Sequence, residues 1–65
     1  MSRKQTMRVR PDMEYEEIPS LLTTAEAAVV VGKSQSAIQE LIRRGKLEAQ
    51  KIGGEYRVRK TALFA

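Results

Sequence analysis

The side chains with the most informative chemistry lie in one short stretch, residues 34–47, which reads SQSAIQELIRRGKL. At 100° per residue, Ser36, Gln39 and Arg43 project from the same side of a helix. A hydroxyl, a carboxamide and a guanidinium can all reach base edges in a major groove. An amide suits adenine and a guanidinium suits guanine, so Gln39 and Arg43 are the predicted base contacts.

Phosphate and sugar contacts are predicted for the side chains around this row. Ser36 has a short hydroxyl near the helix N-terminus, where phosphate binds favourably, and Gln35 can join it. For Glu40 we favour a salt bridge to Arg44 over a cytosine contact or the repulsion of wrong partners. The remaining candidates are basic. Phosphate contacts or merely solvated charges are predicted for Arg44, Lys46 and Lys51. Wing contacts are predicted for Arg57 and Arg59.

The same stretch predicts one complete helix, because both of its ends carry capping signals. The hydroxyl of Ser34 can accept from free backbone N–H groups, and Gly45 stands where a left-handed residue is wanted. An apolar stripe recurs at i, i+3 and i+4, formed by Ile38, Leu41 and Ile42. An ordinary amphipathic surface helix has the same pattern, so the flanking segments must decide between the two interpretations.

Another helix is predicted immediately before this one. Thr23 and Glu26 form the Thr-x-x-Glu pattern of a capping box, and Gly32 ends the helix. The second helix begins at Ser34, and so short a connection forces a steep crossing, as in a helix-turn-helix.

A β-hairpin is predicted next, because Gly53 and Gly54 separate two strand-like runs and a type I′ turn needs positive φ at both central positions. A two-residue loop places Lys51 beside Tyr56 and Ala49 beside Val58 in a two-stranded sheet. We expect Ala49, Tyr56 and Val58 to lie on the helices.

After the hairpin, Thr61 is placed to cap a last helical turn, and Leu63 or Phe64 is expected to close the core. Two helices, a hairpin and a stub of helix form the order of a small winged helix. We therefore predict an α+β fold, with a winged-helix domain over residues 21–65 and an N-terminal arm over residues 1–20 that is flexible or partner-bound.

The arm has little helical periodicity. Residues 6–10 alternate polar and apolar side chains, as an edge strand does, and Met13, Tyr15 and Ile18 could pack on a domain. We predict that residues 6–18 link neighbouring copies of the chain head to tail by adding to the exposed edge of the wing. The alternative is a flexible tail whose basic residues only add phosphate affinity.

Composition excludes several classes of protein. The chain has 65 residues and neither cysteine nor histidine, so we expect no enzyme, no metal site and no cofactor. Aromatic residues make up 5%, too few for a platform that stacks single-stranded bases. Apolar runs are too short for a membrane span or a signal-peptide core, so we interpret the protein as intracellular and soluble.

The charge is unevenly distributed within a net +4. Residues 1–10 carry only basic charges and residues 11–20 only acidic ones, whereas residues 32–60 carry eight bases against three acids. Two basic segments around an acidic one favour the phosphate backbone of nucleic acid as partner. The alternative is that this charge only keeps the protein soluble.

Residues 21–60 resemble the excisionase family of DNA-binding domains, relatives of the MerR-type winged helix. The resemblance rests on LTTAEAA at 22–28, GKS at 32–34, LIRRGKL at 41–47 and IGGEYRV at 52–58. It implies that the second helix (34–44) enters the major groove and that the wing (49–58) follows the neighbouring minor groove or the backbone. Lys33, Glu40, Glu55 and the short last helix depart from the family pattern.

The resemblance also implies a function: a phage excisionase, or recombination directionality factor, that binds and bends attachment-site DNA and directs an integrase, a tyrosine or serine recombinase, towards prophage excision. Its location would be the cytoplasm of a bacterial host, on nucleoid DNA and not on a membrane. Two alternatives stay open. One is a small phage repressor or activator at an operator, and the other is a protein-interaction module with an acidic partner.

Overall fold

A computed structural model describes residues 8–65, which form an α+β winged helix-turn-helix. In chain order the elements are a 3-10 turn at Tyr15–Glu17, β1 (Leu21–Thr23), α1 (Thr24–Val31), α2 (Gln35–Arg43), β2 (Gln50–Ile52), β3 (Glu55–Arg59) and α3 (Lys60–Leu63). The predicted order of helices and hairpin is confirmed. Within residues 8–65, no helix combines the length and the apolar character needed to cross a membrane.

Both ends of α1 follow from local sequence. The hydroxyl of Thr23 accepts from the backbone N–H of Glu26 at 3.0 Å, and the Glu26 carboxylate accepts from the backbone N–H of Thr23 at 2.9 Å. This is the predicted capping box. At the other end Gly32 adopts φ 72°, which lets the N–H of Lys33 donate to the carbonyl of Ala28 at 2.9 Å.

Helix α2 is also capped as predicted. The Ser34 hydroxyl accepts from the backbone N–H of Ala37 at 3.0 Å. Gly45 has φ 77°, and the N–H of Lys46 donates to the carbonyl of Leu41 at 2.9 Å, which closes a Schellman motif. The length of the helix is therefore set by its own sequence.

The hairpin has the predicted turn and register. Gly53 and Gly54 have φ 61° and 84°, and Lys51 lies opposite Tyr56. Tyr56, expected to lie on the helices with Ala49 and Val58, is instead 39% exposed. Tyr56 lies beyond the end of the core, towards the tip of the wing.

The sheet has three strands and not the predicted two. Strand β1 pairs antiparallel with β3, so the strand order is β1-β3-β2 and β3 is central. Leu22 faces Val58 across this ladder, and both side chains are fully buried. The apolar residue that precedes the cap of α1 is thus also a strand residue.

The core joins the sheet to both long helices. Ile38 of α2 is fully buried, as are Leu22 and Val58; α2 packs mainly on α1, and α1 in turn packs on β1 and β3. Two residues from the N-terminal segment enter the same core. The buried apolar residues are Val9, Ile18, Leu22, Ala27, Ala28, Ile38, Leu47 and Val58.

Residues 8–20, called here the strap, lie along their own domain. The Arg8 guanidinium donates to the Glu26 carboxylate at 2.8 and 2.7 Å and to the carbonyl of Leu21 at 3.0 Å. Val9 and Ile18 are buried. Of the strand predicted over residues 6–10, residues 6 and 7 lie outside the described part, and residues 8–10 form no strand.

The C-terminal helix begins earlier than predicted. Arg59, the last residue of β3, is the N-cap of α3, so Thr61 lies inside the helix and the cap predicted for it is wrong. Leu63 packs against the core as expected, whereas Phe64 is 44% exposed. The ring of Phe64 meets that of Tyr15 edge to face, with 5.5 Å between the centroids.

Candidate nucleic-acid interface

The outward face of α2 has the composition predicted for it. Ile38 turns into the core, so the side chains opposite to it face solvent. Ser36, Gln39 and Arg43, called here the outward row, are all exposed. The helix therefore presents a hydroxyl, a carboxamide and a guanidinium on one accessible face.

Gln35 joins α2 to the start of α1. Its side-chain amide donates to the hydroxyl of Thr24 at 2.9 Å, and Thr24 is buried. This contact fixes how the N-terminal turn of α2 sits on the first helix. The Gln35 side chain is thus committed to the helix-helix junction.

The wing brings Arg57 towards α2. Arg57 lies between Thr23 of β1 and Gln50 of β2, and its guanidinium donates to the Glu55 carboxylate at 2.9 Å. On the neighbouring strand the Lys51 ammonium lies 5.3 Å from the centroid of the Tyr56 ring, a cation–π contact.

A cleft of about 420 Å³ separates the start of α1, the outward face of α2 and the wing. Three of the predicted contact residues line it, namely Gln35 and Gln39 from α2 and Arg57 from β3. The other predicted contact residues lie outside its lining: Ser36, Arg43, Arg44, Lys46, Lys51 and Arg59. Arg59 lies at the base of the wing beside Thr61 and Ala62 of α3.

A family model described as a helix-turn-helix domain matches residues 21–65. The chain belongs to this family. No curated protein matches the chain, and neither does any solved structure. Helix-turn-helix domains bind DNA by placing the second helix in the major groove, so DNA is the partner that the family supports for this chain.

In this helix-turn-helix domain, carboxylates pair with three of the arginines on α2 and the wing. Glu40 accepts from Arg44 at 2.7 Å, as predicted, and also from Arg43 in the outward row. Glu55 in the same way accepts from Arg57. The cationic charge of the interface is therefore partly neutralised by its own chain.

Sequence reasoning missed the Glu40–Arg43 and Glu55–Arg57 pairs, although both had a signal. Residues three apart on a helix are neighbours, and residues two apart on a strand share a face. The bond from Gln35 to Thr24 had no such signal, because it joins two elements.

Proposed function

We propose that the chain binds double-stranded DNA sequence-specifically, with α2 in the major groove and the wing on the adjacent minor groove or backbone. The observation that carries this proposal is the exposed outward row on a helix whose opposite side is anchored by Ile38. Gln39 can pair with adenine and Arg43 with guanine. Ser36 is placed to contact sugar or phosphate, as hydroxyls commonly do.

The wing supplies affinity that does not depend on sequence. Arg57 lines the cleft next to α2, so a phosphate that follows the groove from the outward row would meet its guanidinium. Lys51 on the neighbouring strand and Arg44 and Lys46 at the end of α2 would add further phosphate contacts. Arg59, at the base of the wing, would contact only the flanking backbone.

Replacing Arg57 with alanine is expected to weaken binding to all duplexes about equally and to flatten the salt dependence by about one unit. Binding is measured by fluorescence anisotropy on several duplexes at a series of salt concentrations. Lys33→Ala is the matched control, because Lys33 is likewise a cation but lies beside Leu63, away from the cleft.

The control is expected to leave both affinity and salt slope nearly unchanged. A loss confined to one duplex would mean that the wing reads bases. If the wild-type protein shows no salt-dependent binding to any duplex, the proposal of DNA binding fails, and an interaction module for an acidic protein becomes the better explanation.

Within this function, we propose an architectural role as an excisionase that bends attachment-site DNA and directs an integrase. Support comes from the motifs shared with that family, which form the cap of α1, the end of α2 and the hairpin turn. Further copies of the chain are the proposed neighbours on DNA, head to tail. Exposed carboxylates on the strap, such as Glu14 and Glu16, could face the basic end of α2 in the next copy.

The bend in DNA is expected to grow with the number of bound copies. The described domain measures 40 × 26 × 20 Å, so one copy covers too little DNA to deform it far. Permuted-site gel mobility on DNA with one, then several adjacent sites measures the bend. A full bend from one copy contradicts the proposal, and one footprint at a promoter would instead fit a repressor or an activator.

A further inference from the structure

We propose that Glu40 sets the DNA specificity of α2 by discriminating against non-target sequences. This inference rests on the proposed function, that is, on α2 as the major-groove helix. Glu40 is negatively charged and repels phosphate, yet it lies on the side of α2 that faces away from Ile38. It is held there by ion pairs with both arginines of the last turn.

The two ion pairs neutralise positive charge where DNA would approach. The Arg43 and Arg44 side chains are 74% and 63% exposed, so both are accessible to a phosphate group. One carboxylate shared between two guanidiniums leaves a net single charge at the end of the helix. Non-specific binding depends almost wholly on such charge, so Glu40 lowers the affinity for every sequence.

The same carboxylate orients Arg43 for a base. Glu40 accepts from a single nitrogen of the Arg43 guanidinium, Nη2, which leaves the other N–H groups available. A side chain held in one orientation loses less conformational freedom when it pairs with the two acceptor atoms of guanine. On the target, this gain offsets the repulsion between Glu40 and the phosphates.

On any other sequence no such gain is available, and the repulsion remains. The repulsion acts on every sequence and cancels from the ratio of the two affinities, so discrimination arises from the gain that the oriented Arg43 makes on the target alone. Glu40 acts through Arg43 and Arg44 and need not contact a base itself. The contribution of Glu40 to specificity should disappear when Arg43 and Arg44 are absent.

The experiment compares Glu40→Gln with Glu48→Gln, which removes an equal charge. Glu48 is exposed between α2 and β2 and has no ion pair within residues 8–65. The target probe is the duplex that the wild-type protein selects from a randomised pool, and the comparator is a shuffled duplex of the same composition. Circular dichroism and urea denaturation establish that each variant is folded.

Glu40→Gln is expected to bind the shuffled duplex roughly tenfold more tightly, with a salt slope steeper by about one unit. Its affinity for the selected duplex should change much less, so the ratio of the two affinities falls. Glu48→Gln should leave that ratio unchanged. In an Arg43→Gln/Arg44→Gln background, adding Glu40→Gln should no longer lower the ratio.

An equal change on both duplexes, or the same change in Glu40→Gln and Glu48→Gln, overturns the inference. A loss of specificity that persists without the two arginines also overturns it, because Glu40 would then not act through them. Failure of the proposed DNA-binding function would show itself in a separate observation. In that case the wild-type protein selects no duplex from the pool.

Discussion

Replacing Glu26 with alanine is expected to lower the free energy of unfolding by roughly 2 kcal/mol. The carboxylate accepts from the Arg8 guanidinium at 2.8 and 2.7 Å and from the backbone N–H of Thr23 at 2.9 Å. The substitution thus removes half of the capping box and the ion pair that holds the strap. Arg8 is 56% exposed, so solvent screens part of its contribution. Urea denaturation followed by circular dichroism measures the effect.

The ion pair also makes stability depend on pH. The hydrogen bond from Arg8 lowers the pKa of the Glu26 carboxyl, and the N–H of Thr23 lowers it further, against the opposing effect of burial. Since the folded-state pKa is the lower one, the stabilisation is complete above the unfolded value of about 4.3 and is lost as pH falls through the folded pKa. The difference in unfolding free energy between wild type and Glu26→Gln should shrink from about pH 7 to about pH 3.

Glu48→Ala is the matched control for this prediction. Glu48 is exposed and forms no ion pair among the described residues, so its removal should change stability by no more than about 0.5 kcal/mol. If Glu26→Ala proves as mild as Glu48→Ala, the ion pair does not hold the strap. A difference between wild type and Glu26→Gln that stays constant at low pH would show that the pKa is not lowered.

The caps and the hairpin turn were predictable because each depends on residues close together in sequence. Thr23 and Glu26 are three residues apart, and Gly53 and Gly54 are adjacent. Ser34 likewise bonds within its own first turn. In such cases the chemistry of the side chain and the conformation that it stabilises can be read from one short segment.

The third strand and the strap were not predictable, because their partners are distant in sequence. In the sequence, Leu22 is an apolar residue directly before a helix cap. Only its pairing with Val58 makes it part of a strand. Arg8 is separated from Glu26 by 18 positions, and nothing in the sequence around either residue identifies the other. Val9 belongs to the strand predicted to pair with the wing of another copy and is instead in the core of its own domain.

A test of the contact between copies must leave the buried residues of the strap in place. Deleting the chain before residue 19 would remove Val9 and Ile18 from the core, so a lost contact between copies on DNA would not be distinguishable from a loss of stability. Neutralising the exposed Glu14 and Glu16 with glutamine leaves the core intact and removes two of the four acidic charges of residues 11–20.

At the interface itself, the sequence predicted which side chains face outward but only one of their ion pairs, Glu40–Arg44. The orientation of α2 follows from its apolar stripe, and Ile38 is buried as expected. The distribution of charge depends on the rotamers that Arg43 and Arg44 adopt around Glu40. The two arginines should therefore differ in function, although they are adjacent and have the same chemistry.

Arg43→Ala is expected to weaken binding to the selected duplex by roughly 1–3 kcal/mol and to relax the preference at one base pair. Arg43 belongs to the outward row with Ser36 and Gln39, and its guanidinium keeps N–H groups that Glu40 does not occupy. A guanine presents two acceptors to such a group in the major groove. Selection from a randomised pool, followed by anisotropy on the selected and shuffled duplexes, measures affinity and preference together.

Arg44→Ala is the matched control, because it removes a guanidinium from the adjacent position and likewise breaks an ion pair with Glu40. Arg44 is the C-cap of α2 and lies 100° away from Arg43 around the helix, towards the flanking backbone. Its loss should weaken binding to both duplexes about equally and leave the selected sequence unchanged. If the two variants behave alike, or if Arg43→Ala selects the same sequence with the same preference at every position, then Arg43 contacts phosphate and the bases are read from elsewhere on α2.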